Sequence, residues 1–191
     1  MDVSPTVFPI QLRSGKSSYV HDPLHVRAVA FESGEGRAVI CLIDAIGIGR
    51  EMSDIAKSKA AKKTGWKTEE MLICATHTHS APKGGTGMPG REAYEKLKHD
   101  KLEEAIVLAI ERLQLAKIGF SSEDEPSEVR NRRWFLEPGN MPPNPLGEKD
   151  QVKTNAGRNH LVRPAGPIDP EICVIDVRNS RNKPLGLIAN Y

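Results

Sequence analysis

Apolar and polar residues alternate along Leu24-His25-Val26-Arg27-Ala28-Val29-Ala30-Phe31-Glu32. A period of two puts successive side chains on opposite faces of a strand. Ser33-Gly34-Glu35-Gly36 follows as a turn, and residues 38–46 form a more continuous apolar run. The pattern predicts a β-hairpin whose second strand, apolar on both faces, lies centrally and is covered on both sides. From Arg50 the period lengthens: Met52, Ile55, Ala56 and Ala60 mark a helix that Gly65 stops. Residues 70–78 read as another strand. Residues 91–115 carry the best helical period, through Tyr94, Leu97, Leu102, Ala105, Ile106, Ala109, Ile110 and Leu113. The first half of that helix is charged, and His99, between Lys98 and Asp100, reads as solvent-facing.

Residues 117–121 read as a short strand, and 171–177 with 184–189 as a second hairpin around 179–183. The first twenty residues are polar and turn-rich and read as a surface lead-in. Segment 123–170 is rich in Pro, Gly and Asn, and a loop-rich stretch of that length usually serves binding. The expectation is one α/β domain over residues 1–191, with a mixed β-sheet flanked by helices. The run Ile188-Ala189-Asn190-Tyr191 has strand character without a cap or polar tail. It predicts a fold that is incomplete at the C-terminus.

Composition narrows the function classes. The 27 Lys and Arg nearly balance the 25 Asp and Glu, and no basic stripe interleaves with aromatics, so a nucleic-acid partner is not expected. The longest apolar runs are strand-sized, too short to span a bilayer. The opening Met1-Asp2-Val3-Ser4-Pro5 lacks the basic start and apolar stretch of a secretory signal. The three cysteines, Cys41, Cys74 and Cys173, each lie in an apolar run, which argues for small buried side chains and against a disulfide framework.

The chemistry concentrates in Met71-Leu72-Ile73-Cys74-Ala75-Thr76-His77-Thr78-His79-Ser80-Ala81-Pro82-Lys83-Gly84-Gly85. On a strand, residues two apart face the same way, so His77 and His79 converge at its C-terminal end. That is where open α/β sheets bind ligands. Two imidazoles there suit Zn2+, which accepts neutral histidine nitrogen at about 2.0–2.1 Å. Thr76, Thr78 and Ser80 offer supporting hydroxyls, and the Gly84-Gly85 backbone lets a ligand approach closely. Cys74, three residues before His77, points the other way. His21, Asp22, His25, Asp44, His160 and Asp169 are further oxygen and nitrogen donors, none at a diagnostic spacing. Arg130, Arg132 and Arg133 precede Trp134-Phe135 and could contact a carbonyl or an anion beside an aromatic wall. A bare His-x-His also fits two exposed histidines with no ligand, so these residues alone leave the metal open.

Ala75-Thr76-His77-Thr78-His79-Ser80-Ala81-Pro82 with its Gly-Gly loop resembles the signature of the neutral/alkaline non-lysosomal ceramidases, in their N-terminal domain. His21-Asp22-Pro23-Leu24-His25-Val26-Arg27-Ala28, Asn131-Arg132, Gly166-Pro167-Ile168-Asp169-Pro170-Glu171 and Lys183-Pro184-Leu185-Gly186 are similar to family segments in the same order. The resemblance implies a zinc-dependent hydrolase of N-acyl amides, with His77 a zinc ligand and His79 polarising the carbonyl or moving a proton. It implies that Arg132 stabilises the oxyanion and that Gly84 and Gly85 line the substrate. A lipid-like amide substrate, peripheral membrane contact of the intact protein and a secreted or periplasmic location come with it.

The family's second zinc histidine and its Glu and Tyr ligands fall beyond Tyr191, so the resemblance implies a front fragment, weakly active or inactive alone. Ser80-Ala81-Pro82-Lys83 stands where the family has Ser-Gly-Pro-Gly. Two alternatives remain. One is a binding or structural module that keeps the fold without the site. The other is a different His-x-His metallohydrolase. The His-x-His-x-Asp-His pattern of one such group is not met by Ser80-Ala81-Pro82, and a barrel hydrolase needs more βα units than this chain holds.

Overall fold

The computed structural model describes residues 1–83 and 88–191. The chain forms two compact units, Met1–Gln114 and Leu115–Tyr191. The first unit holds the hairpin β1 (Ile10–Leu12) and β2 (Gly15–Ser17), then β3 (Val26–Ser33), β4 (Gly36–Ile43), α1 (Arg50–Thr64), β5 (Met71–Ala75) and α2 (Arg91–Glu111). A mixed sheet runs β3-β4-β5, with β3 antiparallel and β5 parallel to β4. The mixed α/β fold expected from the sequence is the fold observed.

Register explains the core. Val26 pairs with Ile43, Ala28 with Cys41, Val39 with Met71 and Cys41 with Ile73, so these side chains share one face of the sheet. That face joins Ala56 and Ala60 of α1 and Leu102, Ala105 and Ile106 of α2 in a single buried cluster. The helical spacing of Leu102, Ala105 and Ile106 is what lets α2 lie on the sheet. Gly65 ends α1 at φ 74°, donating its N–H to the Ala61 carbonyl, a left-handed position that glycine takes without strain. Glu103, the one buried charged side chain among the described residues, reaches from α2 to Lys63 of α1 at 2.7 Å.

The structure corrects three expectations here. The central strand β4 is not covered equally on both sides: Val39, Cys41 and Ile43 are buried, whereas among the described residues Ile40 and Leu42 on the opposite face are only half-buried and the neighbouring Leu72 of β5 is 55% exposed. The opening residues are not a mere surface lead-in, because Val3, Pro5 and Ile10 are buried and Val3 and Met1 exchange backbone hydrogen bonds with Leu24 and Val26. Met1 and Val3 pair with residues more than twenty positions away, which local periodicity does not register. His99 is half-buried rather than solvated, with its Nδ1 shielded from water and lacking a partner among the described residues.

The second unit holds β6 (Ala116–Asp124), β7 (Arg133–Leu136), β8 (Lys153–Thr154), β9 (Leu161–Pro164), β10 (Glu171–Asn179) and β11 (Pro184–Asn190). β10 lies between β6 and β11 in an antiparallel sheet. The expected hairpin is present, its turn closed by the Asn179 Oδ1, which accepts from the Arg181 and Lys183 N–H groups. The segment 123–170 is richer than loop: β7 pairs with both β8 and β9. Trp134 and Phe135 give β7 its apolar content, and the Arg163 guanidinium sits 3.9 Å from the centre of the Phe135 ring. No described helix is long and apolar enough to cross a membrane.

Burial sets the thiol chemistry. Cys41 is fully buried on the core face of β4, and burial pushes its thiol up to about 12. The thiolate is the reactive form, so the native protein should take up maleimide at the exposed Cys173 and leave Cys41 unmodified at neutral pH. Peptide mass spectrometry after labelling checks this, and early modification of Cys41 would contradict the packing of β4.

Candidate functional site

β4 and β5 run in parallel and end at the same level, with Ile43 opposite Ala75. The chain beyond each strand, Asp44-Ala45-Ile46 and Thr76-His77-Thr78-His79-Ser80, therefore emerges at one sheet edge. The Thr76 N–H donates to the Ile43 carbonyl at 3.0 Å, the last ladder bond before the two segments part.

The strand does not continue through the motif. β5 stops at Ala75, and His77 takes a left-handed backbone conformation with φ 58°. That region is uncommon for a residue with a Cβ. Simple alternation therefore does not place the histidines. They come together all the same: the two rings meet edge to face with centroids 5.1 Å apart. Both side chains are solvent-exposed.

One contact fixes the orientation of His77. Its Nδ1 lies 2.6 Å from the Ile46 carbonyl oxygen. A carbonyl only accepts, so Nδ1 carries the proton and Nε2 of the neutral ring keeps its lone pair. Metal-bound histidines are commonly held this way, with the second ring nitrogen tied to a carbonyl or carboxylate. The chemistry of this donor therefore fits zinc. Among the described residues, no cluster of three His, Cys, Asp or Glu side chains stands ready to bind a metal.

Asp44 anchors the neighbouring segment. Its Oδ2 accepts the His25 backbone N–H at 2.9 Å and an Arg27 guanidinium N–H at 3.1 Å. The His25 ring nitrogen is 3.9 Å away, too far for a hydrogen bond. A cleft of about 830 Å³ opens beside these residues. Asp44, Thr76, Thr78 and Ser80 line it, whereas His77 and His79 do not. The hydroxyl row and the imidazole pair thus belong to different surfaces of the same short segment.

In the second unit Arg132 is exposed. Its neighbour Asn131 organises the turn: the Asn131 side chain donates to the Pro167 carbonyl at 2.8 Å and accepts the Arg133 N–H at 2.8 Å, while Trp134 Nε1 donates to the Asn131 carbonyl at 2.6 Å. A Cβ on Gly166 would lie 3.3 Å from the Asn131 amide nitrogen. The sequence blocks Asn131-Arg132 and Gly166-Pro167, distant along the chain, are thus one local structure. His160 pairs with Glu137 at 3.0 Å, and His21 with Asp22 at 2.8 Å, both members exposed. Gly84 and Gly85, expected to line a substrate, lie outside the described residues. Sequence reasoning missed the roles of Asp44 and Asn131. An Asp directly after an apolar strand, and an Asn before an Arg-rich stretch, were the available signals.

No protein-family model matches this chain, and no curated protein does. Solved structures do share its fold. The crystal structure of neutral ceramidase from Pseudomonas aeruginosa aligns over 98% of this chain with a TM-score of 0.67 and 19% identity. A ceramidase complexed with C2 aligns over 98% with a TM-score of 0.60 and 17% identity. The chain spans only 30% and 29% of the length of those two chains. Its structural neighbours are thus ceramidases, in agreement with the resemblance carried by Thr76–Pro82, and the likeness at this identity is one of fold.

Proposed function

We propose that this chain, built on the fold of a part of the neutral ceramidases, supplies the histidine pair of a zinc-dependent hydrolase of N-acyl amides. The observation that supports it is the His77 ring: Nδ1 is committed to the Ile46 carbonyl at 2.6 Å, Nε2 is left to bind, and His79 stands beside it. His77 would hold zinc through Nε2. Bound there, zinc supplies Lewis acidity, which polarises a carbonyl and makes water a stronger acid. His79 would hydrogen-bond the scissile carbonyl or carry a proton between water and the departing amine. Arg132, from its match to the family's Asn-Arg pair, would donate planar, charge-assisted hydrogen bonds to the oxyanion. The Gly84-Gly85 backbone would lie along the substrate. The substrate class is an amide carrying a lipid-like acyl chain, and the products are a fatty acid and an amine.

Equilibrium dialysis of the full chain against Zn2+, followed by metal analysis, tests the reading. Because the described residues offer no complete donor set, uptake is expected to be weak, approaching about one zinc per chain only as metal rises from micromolar into millimolar concentrations, and to depend on His77. An absence of uptake throughout that range would overturn the zinc reading and favour a binding module that keeps the fold.

A further inference from the structure

The sheet β11-β10-β6 ends on β6, and among the described residues no strand pairs with its outer edge. All nine residues of β6 are exposed. Native sheets usually blunt such an edge with a proline, a bulge or a short strand, because a long regular edge is a template for another strand. At the other edge β11 carries two of these devices, Pro184 at its start and a register shift opposite Val177 and Arg178 of β10. β6 carries none. It pairs with β10 through nine consecutive residues without a break.

The charges along β6 are ordered by sign. Lys117 stands near one end, and Glu123 and Asp124 at the other. None of the three has an ion-pair partner among the described residues. Midway lies Phe120, 78% exposed, on the same face as Ile118, 46% exposed. Ile175 and Val177 of β10, opposite Phe120 and Ile118, extend that apolar face. An antiparallel copy of β6, turned about a twofold axis through Phe120, sets Phe120 against Phe120, Ile118 against Ser122 and Lys117 against Glu123. Unlike charges and aromatic rings placed directly across a seam favour strand pairing. A twofold axis uses the same patch on both copies. We propose that β6 joins to β6 of a second copy of this chain in this register, merging two three-stranded sheets into one. The contact is a single strand edge, smaller than a permanent dimer buries, so the dimer is a weak one.

Sedimentation velocity of the full chain, with a metal chelator present, tests this independently of the histidine reading. A monomer–dimer equilibrium half complete on the order of 10–100 μM chain is expected. Lys117→Glu and Glu123→Lys each set like charges against one another at both ends of the seam. Each should weaken self-association at least about tenfold. Both positions are exposed, and far-UV circular dichroism should be unchanged. Mixing the two variants brings unlike charges together again, so the mixture should associate within about threefold of wild type. Loss of folding cannot produce that recovery. A chain that stays monomeric throughout, self-association that neither variant weakens, or a mixture that fails to recover would overturn the proposal.

Discussion

His77→Ala should reduce zinc affinity by at least about 100-fold, because loss of an outer hydrogen-bonding partner alone costs about 10–100-fold at metal sites and this change removes the ligand itself. The argument begins with the backbone. His77 sits at φ 58° and gives its Nδ1 proton to the Ile46 carbonyl at 2.6 Å. Both features hold the ring in one orientation before any metal arrives, so little rotamer freedom is lost on binding. His79→Ala should behave differently. Its ring touches that of His77 edge to face, but no carbonyl or carboxylate fixes its tautomer among the described residues. It should retain most of the zinc affinity and lose the ability to move a proton. Competition titration with a zinc indicator, run on the wild type and both variants, measures this. Equal affinity of His77→Ala and wild type would remove His77 from the metal site. Equal losses in the two variants would make the histidines joint ligands instead.

What the sequence could reveal follows from how local each signal is. The β3–β4 hairpin, both helices and the β10–β11 hairpin were legible because their apolar periods and turn residues lie within each segment, as with the Gly65 stop and the Asn179 turn. The partnership of Val3 with Leu24, and the unequal burial of the two faces of β4, depend on which distant segments meet. No periodicity encodes that. The histidine motif shows both sides of this limit. The motif follows the C-terminal end of β5, as expected, but regular strand alternation ends at Ala75 before it reaches the histidines. A left-handed residue is rarely foreseeable at histidine, and His77 takes one at φ 58°; Thr76, Thr78 and Ser80 line the cleft and the imidazoles do not. The likeness of fold to ceramidases spans nearly the whole chain at 19% and 17% identity. At that distance a backbone persists more readily than particular side chains, which is why His77 needs its own test.

Leu102→Ala should destabilise the first unit by about 2–5 kcal/mol, the range for deleting a buried leucine side chain. Leu102 is fully buried, and so is Ile106 one turn on; both belong to the cluster formed with Val26, Val39 and Ile43 of the sheet. A leucine there fills the space between α2 and the core face, and alanine leaves a cavity that close-packed neighbours collapse into only partly. Leu72→Ala is the matched control. Leu72 lies in the same sheet on β5 but is 55% exposed on the opposite face, so its removal costs less transfer energy and opens no cavity. Urea unfolding followed through Trp66, which is 6% exposed in the same core, should show a clearly lower midpoint for Leu102→Ala and a small shift for Leu72→Ala. The consequence reaches the site, because α2 packs on β3 and β4, and β4 leads into Ile46, whose carbonyl orients His77. Zinc uptake by Leu102→Ala should therefore fall along with its folded fraction in urea, at lower urea than for wild type. Comparable midpoints for the two variants would mean that α2 does not support the sheet that carries the histidines.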